Sequence, residues 1–199
     1  MRTSWVGVRS TAWGAACSVA LAAHAGGVAP TQCNSETEWR VEVRGASLEA
    51  QADGVSIPRV PHGVHMNEAG EPDLPFLVEL VPVLRDCDAE IVVERVESHE
   101  TNGVQIAARG GYSIGEDANG NPCVVPVAAD PSAVYQRDAW WPAQPLEVSY
   151  AIQGKQRWAR FVFHPFQYNP VRGILRFNDG MDARLIWRST KDSGRDEVD

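Results

Sequence analysis

Apolar and polar residues alternate with a period of two along most of this chain, which is the pattern of half-buried β-strands. Trp39, Val41 and Val43 alternate with Arg40, Glu42 and Arg44. Ala89, Ile91 and Val93 alternate with Glu90 and Glu94, and Leu146, Val148, Tyr150 and Ile152 repeat the pattern. A turn at Gln153-Gly154-Lys155 leads into a strand holding Trp158, Phe161 and Phe163. Ala183, Leu185 and Trp187 make the last strand. Phe76 to Leu84 is a longer apolar run interrupted by Pro82, so it reads as an edge strand or a kinked one. Leu48 to Ala52 is expected to pair with the first strand across Arg44-Gly45-Ala46. Asn102-Gly103 is a hairpin signal that would fold Val104 to Ala108 back on the preceding strand.

Two stretches lack periodicity and read as long loops. Ile57 to Leu74 carries Pro58, Pro61 and Pro72, with Pro75 just beyond. Gly110 to Asp138 is rich in Gly, Asn, Asp and Pro. No apolar stripe with helical spacing runs for about ten residues. Short strands joined by Gly and Pro turns predict an all-β fold, a single antiparallel sandwich or jelly-roll-like domain.

The N-terminus changes this picture in one respect. Arg2 and Arg9 precede an apolar, small-residue run from Ala12 to Ala23, and Ala23-His24-Ala25 fits an A-x-A cleavage site. The expected organisation is a signal peptide at residues 1–25, the sandwich at 26–188 and a disordered polar tail at 189–199. The product would be secreted or held in the cell envelope. Cleavage would remove two arginines and take the formal charge from −8 to −10. An acidic exported domain is a poor partner for nucleic acid or anionic membrane, and no stretch reads as a transmembrane segment.

Export makes the cysteines relevant. Cys33, Cys87 and Cys123 remain after cleavage, an odd number with three possible pairings. Cys87–Cys123 is favoured, because both flank expected strands in the middle of the domain. A catalytic cysteine would need a thiolate with a base in reach. Cys87 lies between Asp86 and Asp88, whose charges disfavour a thiolate, and Cys123 follows a proline.

The remaining candidates are weak as chemistry. His62 and His65 form H-x-x-H, but in a Pro/Gly loop rather than on a helix, and they read as solvated. His99 reads as a turn residue after a strand, and His164 as a packed side chain before Pro165. Asp117-Ala118-Asn119-Gly120-Asn121 begins like a calcium loop but lacks the closing glutamate, so it reads as a tight hairpin turn. Nothing implies a metal or a cofactor. Trp140-Trp141-Pro142, with Arg137 nearby, is the best candidate surface. Either one tryptophan is core and the other exposed, or both pack beneath the loop. Exposed aromatics and Arg anchor protein interfaces, and aromatics also form glycan platforms.

Three segments together resemble a known family. Gly70-Glu71-Pro72-Asp73-Leu74-Pro75 is similar to a G-x-P-x-L-P segment of gingipain-type cysteine peptidase propeptides. Tyr135 to Pro142 resembles the family's Tyr-then-Trp-Pro segment. Phe163 to Phe177 resembles its P-x-x-Y-N-P-x-x-G-x-L signature, with Pro165, Tyr168, Asn169, Pro170, Gly173 and Leu175 in place. The resemblance runs from Glu38 to Trp187. It implies a β-sandwich prodomain that assists folding of a caspase-like peptidase and keeps it latent by covering the active-site cleft. Its partner would be a gingipain-type catalytic domain. The family's catalytic His and Cys belong to that other domain, so no catalytic residue is carried over. The motifs do not locate an inhibitory basic side chain; Arg137 and Arg109 are candidates from loop context, with Trp140 and Trp141 as aromatic anchors. The alternative is a cell-surface module that binds glycan or protein without a peptidase partner.

Overall fold

The computed structural model describes residues 29–30, 32–65 and 67–190. The expected signal peptide and most of the expected tail lie outside them. Eleven strands are present among the described residues: β1 (Ser35–Glu42), β2 (Ser47–Ala50), β3 (Ser56–Arg59), β4 (Leu77–Val83), β5 (Cys87–Asn102), β6 (Gly111–Glu116), β7 (Pro122–Val127), β8 (Leu146–Gln153), β9 (Gln156–Phe163), β10 (Phe166–Asn169) and β11 (Ile174–Ser189). A single 3-10 turn, Ala133–Gln136, precedes β8.

Two antiparallel sheets face each other. In the first, β11 pairs with β5 along one edge, and with β1 and β10 along the other. The second is β4–β9–β8. Alternation explains the core directly. Met181, Ala183, Leu185 and Trp187 of β11 point inward, as do Trp39 and Val41 of β1. They meet Leu77 and Val81 of β4, Ala159, Phe161 and Phe163 of β9, and Leu146 of β8. Phe161 packs between the sheets, 5.1 Å from the Trp39 ring and 6.4 Å from Trp187. Trp187 is fully buried, and burying a side chain of that size is worth about 3 kcal/mol or more. The fold is an all-β sandwich, as the patterning predicts, and β4 with its Pro82 is indeed an edge strand.

Several local expectations give way to long-range pairing. β2 pairs with β3 and not with β1, so Ile57 to Arg59 is strand rather than loop, and Pro58 is buried. Asn102-Gly103 ends β5 without closing a hairpin. The amide of Val104 donates to Gly173, and Ile106 and Ala108 bridge to Ser56 and Pro72. Gly110 to Asp138 holds the β6–β7 hairpin and the 3-10 turn instead of one long loop. His99 lies within β5, its Nδ1 2.8 Å from Asp179 and its ring packed on Phe177. Ser189 closes β11 rather than opening the tail, and residues 191–199 are outside the described set.

The favoured disulfide is also corrected. Cys33 bonds Cys87, with Cα atoms 5.5 Å apart, and Cys123 is free. The reason is topological. Cys87 opens β5 opposite Ser189 at the end of β11, and β1 lies on the other side of β11 with its own start opposite Trp187. The residues just before β1 and the first residue of β5 therefore meet at one end of the sheet. The hairpin carries Cys123 elsewhere.

Candidate partner-binding end of the sandwich

A second, smaller core gathers at the end of the sandwich opposite the disulfide. Leu74, Val104, Ile106, Phe166, Tyr168 and Leu175 form it, with Tyr135 and Trp141 packed alongside. Three irregular segments converge there, and the sequence motifs supply their junctions. Gly70 accepts a hydrogen bond from the Ser132 amide at 2.8 Å and donates its own to Arg109 at 2.9 Å. Its φ is +91°, and a Cβ there would stand 2.6 Å from the Asp130 carbonyl, so only glycine fits. Asp73 donates its amide to Ala107, and Arg109 donates its amide to Glu71. Ser132 caps the 3-10 turn.

The Tyr-Asn-Pro signature is the second junction. Tyr168 exchanges two backbone hydrogen bonds with Trp141, at 2.7 and 2.8 Å, and its hydroxyl donates to Val104. Tyr135 donates its hydroxyl to Ile106 at 3.0 Å. Burial pushes both phenols above their ordinary pKa, Tyr135 strongly so, with the nearby Tyr168 and Asp73 adding to the effect there. Both therefore stay protonated donors. Asn169 donates to the Asp138 carboxylate and accepts from the Arg172 amide. Gln167 donates to the carbonyls of Pro142 and Ala143, which follow a cis Trp141–Pro142 bond. The signature thus fastens residues 138–143 to β10.

The expected site residues fall around this end with different exposures. Arg137 follows the 3-10 turn and is exposed. Arg109 is largely shielded, 3.6 Å from Asp73, which also meets His65 Nδ1 at 2.9 Å. Trp141 is half-buried against the second core. Trp140 is half-buried as well, with the Arg176 guanidinium 3.9 Å above its ring and Glu100 paired to Arg176 at 2.8 Å. Both tryptophans thus pack, rather than one being core and one free. His164 packs against Phe76, as expected, and burial lowers its pKa against the opposing pull of Glu147.

The most exposed element at this end is one the residue-by-residue reading missed. β6 and β7 pair with each other and, among the described residues, with no other strand. Tyr112 stands opposite Pro126 and Ile114 opposite Val124, so one face of the ribbon carries all four. Tyr112, Ile114 and Val124 are 71%, 84% and 70% exposed. The tip is well ordered: Asp117 accepts from the amides of Asn119 and Asn121 at 2.8 and 2.9 Å. Those amides hold the Asp117 carboxyl below its usual pKa. The tight turn expected at 117–121 is present. The missed signal was the alternation on either side of Asn119-Gly120.

Among the described residues no group of three or more His, Cys, Asp or Glu is placed to hold a metal ion. What this end offers is a hydrogen-bonded base, two exposed cations, Arg137 and Arg172, and a projecting apolar ribbon. Those are means of binding a surface.

Residues 24–195 match the family described as Propeptide_C25. Two solved structures from Porphyromonas gingivalis share the fold. One is titled as a complex of RgpB pro- and mature domains; it is 22% identical, with a TM-score of 0.64, covering 79% of this chain and 81% of that one. The other concerns the zymogenic latency of gingipain K; it is 14% identical, with a TM-score of 0.58, covering 79% of this chain and 94% of that one. A search of curated proteins found no match.

Proposed function

We propose, for a chain that belongs to the Propeptide_C25 family, that it covers the active-site cleft of a gingipain-type cysteine peptidase, holding it latent and assisting its folding. Membership follows from the match across residues 24–195, nearly the whole chain. The matched residues are propeptide and not peptidase, so the chain is a non-catalytic propeptide domain. Export to the cell exterior or envelope, after cleavage near Ala25, completes the reading.

The observation that carries the cleft-covering role is the β6–β7 ribbon. A concave cleft is filled by a convex element, and this ribbon projects from the sandwich with an apolar face turned to solvent. Such a face is costly unless a partner covers it. Arg137 is exposed at the same end and is the charged anchor in this reading. Arg109, Trp140 and Trp141 act beneath it, setting the loop that presents Arg137. The glycan-binding alternative asked for an open tryptophan face, and Arg176 occupies one side of the Trp140 ring.

The direct test assays the gingipain-type peptidase domains encoded in the source genome with and without the purified chain. Inhibition at a ratio of about one to one is expected. Full activity with no complex at micromolar concentrations would contradict the reading.

A further inference from the structure

The two outer faces of the sandwich differ in kind. On the β1–β11–β5 side the outward side chains are charged and paired. Arg40 lies 3.6 Å from Asp182, Arg184 lies 3.3 Å from both Glu36 and Glu94, and Arg188 lies 2.7 Å from Glu90. That is a solvated face. On the β4–β9–β8 side the outward rows are set by register: Val78, Val162 and Glu147; then Leu80, Arg160 and Ser149; then Pro82, Trp158 and Ala151. Apolar residues dominate them. Leu80 is 58% exposed at the centre of its strand. Around Val78 and Val162 the face opens into a cleft of about 630 Å³, lined also by Val64, Phe76, Arg160, His164 and Glu147.

We infer that this face is a second docking surface for the peptidase, seated on an apolar patch that carries a carboxylate. The inference rests on the peptidase partner proposed above. The charge pattern selects the occupant. Arg160 is half-buried, 5.7 Å from the Phe76 ring centroid, and it takes part in none of the ion pairs among the described residues. The neighbouring acid, Glu147, is 3.5 Å from His164. Glu147 lines the same cleft but is turned to His164, so a carboxylate brought by the partner can complete the Arg160 guanidinium, with bidentate geometry available. A second copy fits poorly. Each copy carries a formal charge of −8, or −10 after the proposed cleavage, and a two-fold axis at the central strand β9 would set Arg160 against itself.

The face also connects to the hairpin end. Val64 bridges to Phe76 and Pro72 bridges to Ala108, so residues 72–76 run from this face to the loops that carry the ribbon. One partner can therefore reach both surfaces.

Two variants test the inference, Leu80→Asp and Arg160→Glu, with thermal unfolding measured first. Leu80 is exposed enough that its replacement leaves the fold intact. Affinity for the peptidase domain of the source genome is then measured by calorimetry beside the wild type and an Ile114→Asp/Val124→Asp hairpin variant. Each face variant is expected to bind about tenfold or more weakly. Wild-type affinity in both face variants, with binding lost in the hairpin variant, would sink this face and leave the proposed function standing. Failure of the wild type itself to bind would overturn the proposed function and the face with it. Wild-type dimerisation abolished by Leu80→Asp would show that the occupant is a second copy.

Discussion

Glu79 is the carboxylate that the sandwich tolerates least. It sits on the inward side of β4, lines the core beside Trp39, and its Oε2 is buried with no hydrogen-bond partner among the described residues. Burial raises its pKa, against the Trp39 indole, which favours the charged form. A carboxyl that holds its proton more tightly when folded makes the fold less stable as pH rises from its unfolded pKa through its folded one. Glu79→Gln removes that slope. Thermal unfolding is expected to show the variant matching wild type near pH 4 and exceeding it by about 1–3 °C at neutral pH. His164 acts with the opposite sign. Its lowered pKa makes stability fall as pH drops from its unfolded value, so His164→Gln should gain on wild type below about pH 6. An advantage for either variant that is independent of pH would contradict the assignment. At this scale the sequence showed which residues form the Tyr-Asn-Pro signature, and the hydrogen bonds of Tyr168 and Asn169 show why they are needed. Glu79 was not legible as inward-facing, because a carboxylate breaks the apolar alternation that identifies a core side.

Elements divide by how far their partners lie along the chain. The β8–β9 hairpin was legible, since it closes on itself through Gln153-Gly154-Lys155, with Gly154 at a positive φ. The segment from Val104 to Ala108 was misread because Gly173, Ser56 and Pro72 outcompete its neighbour. The disulfide is of the same class: its halves are 54 residues apart and meet only when β5 and β1 flank β11. Cys87→Ala should lower stability by about 2–4 kcal/mol in denaturant unfolding, and alkylation without reductant should label Cys123 alone among the three. An intact melting curve in strong reductant would argue against the pairing. The hairpin makes the reverse prediction. Ile114→Asp/Val124→Asp buries nothing new and removes little from the core, so its melting temperature should stay within about 2 °C of wild type. Its affinity for peptidase should fall by about tenfold or more. A variant that unfolds instead would show the ribbon to be part of the fold.

The whole molecule is a sandwich whose surfaces differ in chemistry. One outer face is an ion-paired lattice, the other is apolar around a lone arginine, and one end carries an apolar ribbon above a hydrogen-bonded base. Three short motifs in order were enough to read the family from the sequence, because each marks a junction of the fold, with Gly70 at one of them and the Tyr168 and Asn169 hydrogen bonds at another. The surfaces proposed to bind were not legible. They depend on which side of a strand faces out, and on a ribbon whose exposure is visible only once the sheets are placed. Cleft covering is tested by titrating the purified chain into a gingipain-type peptidase domain from the source genome while following peptide hydrolysis. The account predicts a loss of activity that saturates near equimolar chain and is weakened by Ile114→Asp/Val124→Asp. Undiminished hydrolysis at a large excess of wild-type chain would contradict it.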